Sequence, residues 1–277
     1  ARFEKPIVQD EDANAVRRLN QFTGPFILRR MKSEVLRELP PKTENVRRVE
    51  LETEQRKLYL AAVVDAREKL RAAKPEDKMT VFAVLMRLRE ICCDPRLVAD
   101  NWTGSSAKLE ACLELVTEAV AGGHRILLFS QFTSMLELLA KRLDEAGVSH
   151  FTLQGSTPKP VRAEQVRRFN QGEADVFLIS LRAGGTGLNL TAADIVIHYD
   201  PWWNLAAQNQ ATDRAYRIGQ RNPVQVYRLI AQDTIEEKIV ELQQAKQSLA
   251  DTVTGGADGA ILSMNPEQLL QLLGEEA

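Results

Sequence analysis

The apolar residues of this chain follow two patterns, and the change from one to the other lies near residue 105. Before that point apolar residues recur mainly at helical spacing, and after it short apolar runs alternate with amphipathic segments. Because strands that alternate with amphipathic helices form parallel sheets covered on both faces, the pattern predicts an α/β fold. The predicted strands are Ile126–Phe129, Phe151–Leu153, Val176–Ile179, Ile195–Tyr199 and Val224–Leu229.

Helices are predicted between these strands and after the last of them. One helix begins after Ser106, a preferred N-cap residue, and stops at Gly122. Thr234 and Glu237 fit a capping box that opens a last long helix. Shorter helical patterns cover Met135–Leu143, Val166–Phe169, Asn209–Ala215 and, beyond a glycine-rich break, Leu269–Leu273.

The first hundred residues are predicted to form a helical insertion ahead of the sheet. Pro40 and Pro41 break the chain, and Val49 and Leu51 on either side of Glu50 fit a short strand. A polar break at residues 74–78 separates two helices and predicts a helical hairpin. The predicted organisation is a linker and helical insertion with one short strand (1–104), an α/β unit (105–230), and a C-terminal brace helix with a tail (231–277).

Composition and charge exclude several classes of protein. Lys and Arg number 36 against 38 Asp and Glu, so any nucleic-acid contact must depend on local rather than overall charge. The three cysteines fit neither a disulfide framework nor a metal site. No signal peptide and no apolar run of roughly 18–20 residues is present, so we expect a soluble protein of the cytoplasm, nucleoid or nucleus. Because the pattern begins without an initiator methionine, we expect the chain to be part of a longer protein.

Candidate chemistry lies in the loops that follow the strands, where open parallel sheets bind their ligands. Residues 130–133 open a helix and fit either a phosphate contact or simple helix capping. Residues 154–159 carry a glycine, two hydroxyls and a lysine, and fit either a phosphate contact or an ordinary turn. Residues 180–190 contain three glycines within four positions, which allow the backbone to approach a phosphate closely.

The glycine-rich loop matches neither of two common phosphate motifs. Counting from Gly185, Leu190 occupies the position of the third glycine of G-x-G-x-x-G, which weakens a dinucleotide-binding interpretation. No segment fits G-x-x-x-x-G-K-[ST]. A Rossmann-type dinucleotide enzyme is therefore an alternative, and it predicts tight binding of a nicotinamide or flavin cofactor.

Gln210, Arg214 and Arg217 stand at i, i+4 and i+7 and share one face of the predicted helix. Two arginines and an amide on one stripe fit a surface that meets an anion. The alternative is a solvated helix in which Asp213 pairs with Arg217, also at i, i+4.

Four further features have both a functional and a structural interpretation. Trp202 and Trp203 fit base stacking, but packing onto the sheet is favoured. Lys108 fits a phosphate contact or a solvated lysine at the start of a helix, and residues 29–32 fit DNA contact or bracing of another lobe. Residues 92–93 fit the end of a helix with two buried thiols.

Taken in order, these segments resemble the second half of the Swi/Snf ATPase family within the superfamily-two helicases. Residues 126–132 resemble motif IV, residues 154–157 the next motif, residues 180–190 motif V and residues 210–220 motif VI. Tyr216 stands where motif VI usually carries histidine, and nothing here resembles the Walker A loop or the acidic Mg²⁺ box of the N-terminal lobe. Further matching segments are Phe26–Lys32, Leu39–Lys42, Arg89–Pro95, Ser105–Lys108, Asp200–Asn204 and Thr234–Leu242.

The resemblance implies a RecA-like lobe that completes an ATP site together with an N-terminal RecA-like lobe, which would hold Mg²⁺. Arg214 and Arg217 would act as arginine fingers assisted by Gln210, while this chain alone would be inactive. The expected partners are that lobe and double-stranded DNA, with a DNA-bound protein client left open and no membrane. The residues implied near the nucleotide are Gly187, Asn189 and Asp213. Those implied at DNA phosphates are Ser130, Gln131, Ser156, Thr157, Ser180 and Arg182.

Two other readings stay open on the sequence. A non-enzymatic module that binds DNA or a protein predicts that the two arginines are dispensable for activity. An unwinding helicase of the same superfamily predicts strand separation, whereas the resemblance implies translocation along duplex DNA.

Overall fold

A computed structural model describes residues 14, 18, 22, 39–181, 183, 187–252 and 264–274, with only the backbone described over 245–252. Arg182, residues 184–186 and the basic cluster at 29–32 lie outside the described residues. No helix within the described ranges is long and apolar enough to cross a bilayer.

A six-stranded sheet, parallel throughout, forms the centre of the molecule and confirms the predicted α/β fold. The strand order is β1-β6-β5-β2-β4-β3. The inner strands β2 and β4 are paired in register from Ile126 opposite Val176 to Ser130 opposite Ser180, so both end at the same edge. The strands are β1 Lys42–Val49, β2 Ile126–Ser130, β3 His150–Leu153, β4 Val176–Ser180, β5 Ile195–His198 and β6 Val224–Ala231.

Helices cover both faces of the sheet because successive strand residues point to opposite sides. Leu128 of β2 faces a core that contains Leu109 and Leu136, whereas its neighbour Leu127 faces a core that contains Phe169 and Ala211. The first face is covered by α3 (Ala107–Ala121) and α4 (Thr133–Glu145), and the second by α5 (Lys159–Asn170) and α6 (Leu205–Thr212). The helices shield both faces of the central strands from solvent, since every residue of β2, β4 and β5 is buried.

A third apolar cluster joins the predicted helical hairpin to the C-terminal helices. The hairpin consists of α1 (Thr53–Ala72) and α2 (Lys78–Cys93), and Asp77 caps α2 by accepting from the Thr80 amide at 3.0 Å. Leu70, Leu85 and Ile91 pack there with Ile235 and Leu269. These last two residues lie at the start of α7 (Ile235–Thr252) and within α8 (Pro266–Leu272), so the C-terminal helices brace the hairpin.

Strand β1 differs from the sequence prediction in position and in partner. It runs over Lys42–Val49, not over residues 49–51, and it pairs with β6 along its whole length. Its side chains are mostly exposed, so apolar alternation does not mark it, and backbone pairing at the sheet edge fixes it instead. The sheet therefore includes a strand from the 1–104 segment assigned to the insertion.

Two predicted helix details are also corrected. Helix α6 covers Leu205–Thr212 and not 209–215, because Asn204 caps it at the Ala207 amide (3.0 Å) and the chain turns after Thr212. At the start of α7, the Thr234 hydroxyl accepts from the Glu236 amide at 3.2 Å. The Glu237 carboxylate reaches one residue further back than a capping box requires, to the Asp233 amide at 2.8 Å.

Candidate functional site

The turn after α6 carries Arg214 and Arg217, and it packs against the loop that leaves β4. The Leu190 amide donates to the Arg214 carbonyl at 3.1 Å, and Arg217 Nη1 donates to the Leu188 carbonyl at 3.3 Å. The predicted helical stripe is therefore wrong, since only the exposed Gln210 lies on α6. Local turn bonds, such as that from the Arg214 amide to the Ala211 carbonyl at 3.1 Å, and contacts with residues 188–190 position the two arginines.

The electrostatics of this turn are unusual for two arginines. Arg214 is only 8% exposed, and burial followed by the nearby Arg217 cation lowers its pKa, with Asp213 opposing both. The buried Nε of Arg214 has no hydrogen-bond partner. Neither arginine forms an ion pair with a carboxylate in the part of the chain that the structure describes. Two neighbouring guanidiniums in this state form a favourable place for an anion such as phosphate.

Gln220 holds the turn in place, a role that the sequence did not reveal. Its Nε2 donates to the carbonyls of Thr191, Ala193 and Ala215 at 3.3, 2.7 and 3.2 Å. Its Oε1 accepts from the amides of the two residues that follow it, both at 2.9 Å. The preceding Gly219 has φ +102°, a conformation that favours glycine. Gln220 thus anchors the arginine turn to the loop before β5.

The residues implied near the nucleotide lie beside the arginines. Gly187 and Asn189 are exposed on either side of the buried Leu188, whose carbonyl contacts Arg217. The Asn189 carbonyl accepts from Asn170 Nδ2 at 2.8 Å, which ties the loop to the end of α5. Asp213 directly precedes Arg214 and is partly exposed. The structure therefore brings these three positions and the two arginines together.

Ser130 and Ser180 do not reach the surface, contrary to the expectation of phosphate contacts. Ser130 is fully buried, donates to Asp200 Oδ1 at 2.6 Å and accepts from the Phe132 amide at 3.2 Å. Ser180 is also buried, and its Oγ accepts from the Ala183 amide at 3.3 Å. Both hydroxyls stabilise the loops of their own strands, which agrees with the local capping alternative for Ser130.

The other described candidates for DNA contact are more accessible. Ser156 is exposed, and Thr157 is partly exposed with its Oγ1 accepting from the Gln154 amide at 3.0 Å. Gln131 is partly exposed; its amide faces the Asp200 carboxylate and its Oε1 accepts from Arg89 Nη1 at 2.8 Å. All three follow strands β2 and β3 and lie at one edge of the sheet.

Lys108 is neither solvated nor available to a phosphate, so both expectations for it are wrong. It is fully buried, and its Nζ lies 2.7 and 2.8 Å from the two carboxylate oxygens of Glu236. Burial is the largest single influence and lowers the Lys108 pKa, but the charge and hydrogen bonds of Glu236, together with the charge of Asp200 and the Cys93 thiol, outweigh it and raise the pKa. Glu236 Oε2 also accepts from the Ala231 amide at 2.8 Å. The pair joins the starts of α3 and α7.

The cysteines and Trp202 occupy the packing roles that the sequence favoured, since Trp202 packs against the core on one face of the sheet. Trp203 packs against the hairpin cluster, and its ring lies 4.1 Å from the Arg89 guanidinium. The Trp202 amide donates to Gln208 Oε1 at 3.2 Å. Cys92 and Cys93 end α2 as buried free thiols, and burial raises the pKa of both.

Two family models match the chain. The helicase conserved C-terminal domain matches residues 107–219, and the SNF2-related domain matches residues 1–97. The first match contains strands β2 to β5 and the arginine turn, whereas β6 lies beyond it.

The names of similar proteins agree with these two family models. The chain is 40% identical over 255 residues to an uncharacterized ATP-dependent helicase of Mycoplasma pneumoniae, covering 92% of this chain and 25% of that protein. It is 37% identical over 255 residues to the mouse SWI/SNF-related matrix-associated actin-dependent regulator of chromatin subfamily A member 1, covering 87% and 24%. The chain thus spans about a quarter of each relative's length.

A solved structure matches nearly all of the chain. The Sulfolobus solfataricus SWI2/SNF2 ATPase core in complex with double-stranded DNA is 30% identical, with a TM-score of 0.72. The match covers 98% of this chain and 58% of that one, so a large part of that core has no counterpart here.

Proposed function

This chain belongs to the Swi/Snf family of superfamily-two helicase-like ATPases, and on that premise we propose that it is one lobe of an ATP-driven translocase on double-stranded DNA. Its parallel sheet with helices on both faces is a RecA-like fold, as the resemblance implied. The other lobe of the ATPase lies outside this chain, so the chain by itself is not a complete enzyme.

The observation that carries the proposal is the pair formed by Arg214 and Arg217. One guanidinium is nearly buried with an unpartnered Nε, and the other lies close enough to lower the pKa of the first. A protein keeps two such cations together at a cost unless an anion offsets their repulsion. A nucleotide phosphate between two lobes fits, because guanidinium stays charged and donates to two phosphate oxygens at once.

In this proposal the arginine turn completes a nucleotide site from one side. Bound ATP with Mg²⁺ supplies the phosphoryl group that is transferred to water, and the N-terminal lobe supplies the Mg²⁺ ligands. Arg214 and Arg217 donate to the phosphate oxygens, and the exposed Gln210 assists from α6. Gly187, Asn189 and Asp213 line the same place and sense whether a phosphate is bound. Gln220 keeps the turn at a fixed position relative to this loop.

The DNA-facing part of the proposal rests on the loops at the carboxyl ends of β2, β3 and β4. Gln131, Ser156, Thr157 and Arg182 are the proposed contacts to the phosphate backbone, whereas the buried Ser130 and Ser180 support their loops from below. Phosphate contacts hold a duplex in position without reading its sequence. A net charge of −2 fits such a local contact better than a dedicated DNA-binding domain.

The proposed motion is translocation along an intact duplex. Closing and opening of the cleft between the lobes in each ATP cycle would move the DNA-facing loops along one strand. We expect no separation of the strands of a blunt-ended duplex, measured as release of a labelled strand. Robust release would identify the protein as an unwinding helicase instead.

The central experiment measures DNA-stimulated ATP turnover by this chain joined to its N-terminal lobe. We expect duplex DNA to stimulate the wild type and Arg217→Ala to reduce turnover by about 10³- to 10⁵-fold, the usual contribution of an arginine finger. Arg217→Lys should recover little, because a lysine does not donate to two oxygens in one plane. Arg221→Ala, an exposed arginine beyond Gln220, is the matched control. Turnover that is unaffected by Arg217→Ala would contradict the proposed site and favour a non-enzymatic binding module.

A further inference from the structure

Arg89 of α2 is a charged residue that is completely enclosed by protein. Its exposed fraction is 0%, although an isolated buried guanidinium is strongly unfavourable. Its Nη2 donates to the Pro201 carbonyl at 2.5 Å and lies 3.5 Å from Asp200 Oδ2. The guanidinium also lies over the ring of Trp203. The helical hairpin is therefore linked to the loop that follows β5.

The same guanidinium contacts the loop that follows β2. Arg89 Nη1 donates to Gln131 Oε1 at 2.8 Å, and the Phe132 ring lies 5.7 Å from the guanidinium. Asp200 completes the connection, since its Oδ1 accepts from the Ser130 hydroxyl at 2.6 Å and from the Gln131 amide at 3.3 Å. Three segments that are distant in sequence thus meet at one side chain, and none can shift without breaking a buried polar contact.

The contact to Gln131 also fixes which end of its carboxamide is free. A guanidinium offers only donors, so Gln131 must present its oxygen to Arg89 and turn its nitrogen away. That nitrogen, Nε2, is buried and has no hydrogen-bond partner. A buried amide donor without a partner is uncommon in a folded protein. Gln131 as a whole is partly exposed, so its covered nitrogen must turn to the surface to reach a phosphate. A phosphate accepts hydrogen bonds and donates none, so it would satisfy this donor and not the oxygen held by Arg89.

We infer that Arg89 is a positioning residue for DNA. It couples the helical hairpin to the loops after β2 and β5, and it orients the side-chain carboxamide of Gln131 so that Nε2 can donate to a phosphate of the DNA backbone. This inference rests on the proposed function, because it assigns a role within the DNA-facing loops. It adds a residue that lies on α2, outside those loops. Arg89 itself does not touch DNA, since the loops cover it completely.

The test is a double-mutant cycle in the complete protein with Arg89→Lys and Gln131→Met. Lysine keeps a cation beside Asp200, but it lacks the planar fork of a guanidinium and so does not also hold Gln131 Oε1 in place. We expect Arg89→Lys to raise the duplex concentration for half-maximal ATPase stimulation by about fivefold to tenfold, the effect of one lost hydrogen bond. The rate at saturating DNA should change less than twofold. Arg87→Lys, an exposed arginine on the same helix, is the control.

The cycle separates positioning from simple support of the fold. If Arg89 acts through Gln131, Arg89→Lys adds nothing in the Gln131→Met background. Effects that multiply independently, or a loss confined to the saturated rate, would overturn the inference. If Arg89→Lys unfolds, the neutral pair Arg89→Met with Asp200→Asn leaves no lone buried charge and should show the same rise. A wild-type protein that duplex DNA does not stimulate would refute the proposed function itself, a result distinct from an additive cycle.

Discussion

Arg214 and Arg89 are both arginines with almost no exposed surface, at 8% and 0%, yet different groups face their guanidiniums. Arg89 is surrounded by acceptors of its own chain: a carboxylate, a backbone carbonyl and an amide oxygen. The Nε of both arginines lacks a hydrogen-bond partner, so the contrast lies in the other groups. Arg214 has another cation nearby, and its side chain donates to no acceptor among the described residues. The difference separates two uses of one residue type. An arginine enclosed by internal acceptors stabilises the fold, and one left short of acceptors is available to an anion from outside.

The buried pair of Lys108 and Glu236 extends the first use. Its ion pair joins α3 to α7 across 128 positions of sequence, and Lys108 Nζ also lies 5.0 Å from the centre of the Tyr199 ring. Both partners are fully buried, so each charge is tolerated only because the other is present. Replacing one partner should therefore lower the free energy of unfolding far more than replacing both with apolar residues.

The largest expected effect follows from that asymmetry. Glu236→Ala leaves the Lys108 ammonium buried alone and the Ala231 amide without its acceptor, and should lower the free energy of unfolding by about 3–5 kcal/mol. Urea denaturation followed by circular dichroism measures the change. Lys108→Met combined with Glu236→Leu should recover most of the loss.

An exposed ion pair on the same helix is the matched control. Lys238 and Glu241 lie 3.2 Å apart with both side chains largely exposed, so Glu241→Ala should change stability by less than about 1 kcal/mol. If Glu236→Ala costs no more than this control, the buried charges do not stabilise the fold, and the contrast with the arginine turn loses its basis.

His198 tests how strongly the interior of the protein excludes a charge that has no partner, because its protonation depends on pH. It is buried at the end of β5, stacks on Phe129 with ring centres 5.6 Å apart, and its Nε2 lies 2.9 Å from Thr212 Oγ1. Burial, and to a lesser degree the positive charges of Arg228 and Lys42, lower its pKa from 6.5 to about 3. Between these values the unfolded chain binds a proton that the folded chain excludes. The contribution that the neutral His198 makes to stability is therefore fully present above about pH 6.5 and is lost as the pH falls towards 3.

The measurement compares His198→Phe with the wild type at two pH values. Between about pH 7 and about pH 5 the wild type should lose roughly 2 kcal/mol more unfolding free energy than the variant, because only the wild type has this proton to exclude. Other groups titrate equally in both proteins, so the difference isolates the histidine. Equal losses would show that His198 accepts a proton inside the folded protein.

Much of the fold could be predicted from local patterns. The runs at β2, β4 and β5 are apolar because both sheet faces are covered, and such runs are visible without any structure. Strand β1 was misplaced because it lies at an exposed edge, where charged residues such as Lys42, Glu44 and Arg47 conceal it. Pairing with β6, some 180 residues later, determines its position, and no local pattern contains that information.

For the candidate site as well, some features could be predicted from local sequence and others could not. The positions of Arg214, Arg217 and Asn189 could be found because short ordered motifs carry them. Their arrangement could not, since contacts with Leu188 and Leu190 shape the turn rather than the assumed helix. The burial of Ser130 and Lys108 was missed for a related reason. A hydroxyl or ammonium in sequence gives no sign of whether a distant carboxylate encloses it.

The smallest expected effect compares two serines at the strand ends. Ser156 is exposed after β3, so Ser156→Ala should leave stability within about 0.5 kcal/mol of the wild type. In the complete protein it should raise the duplex concentration for half-maximal ATPase stimulation by about twofold to fivefold, as expected for one lost hydrogen bond at a site that water reaches. Ser130→Ala should instead remove a donor from the buried Asp200 carboxylate and lower the unfolding free energy by about 1–3 kcal/mol.

The two serines carry the same hydroxyl, so burial alone separates their expected effects. If Ser130→Ala kept its stability and weakened the response to DNA, the loop after β2 would have to open in the complete protein and expose its hydroxyl. Arg89 and Asp200 would then have to release that loop as well, since both hold it through partly buried hydrogen bonds. Arg89, Asp200 and Ser130 would in that case rearrange when DNA binds, and would not form a fixed support for the loop.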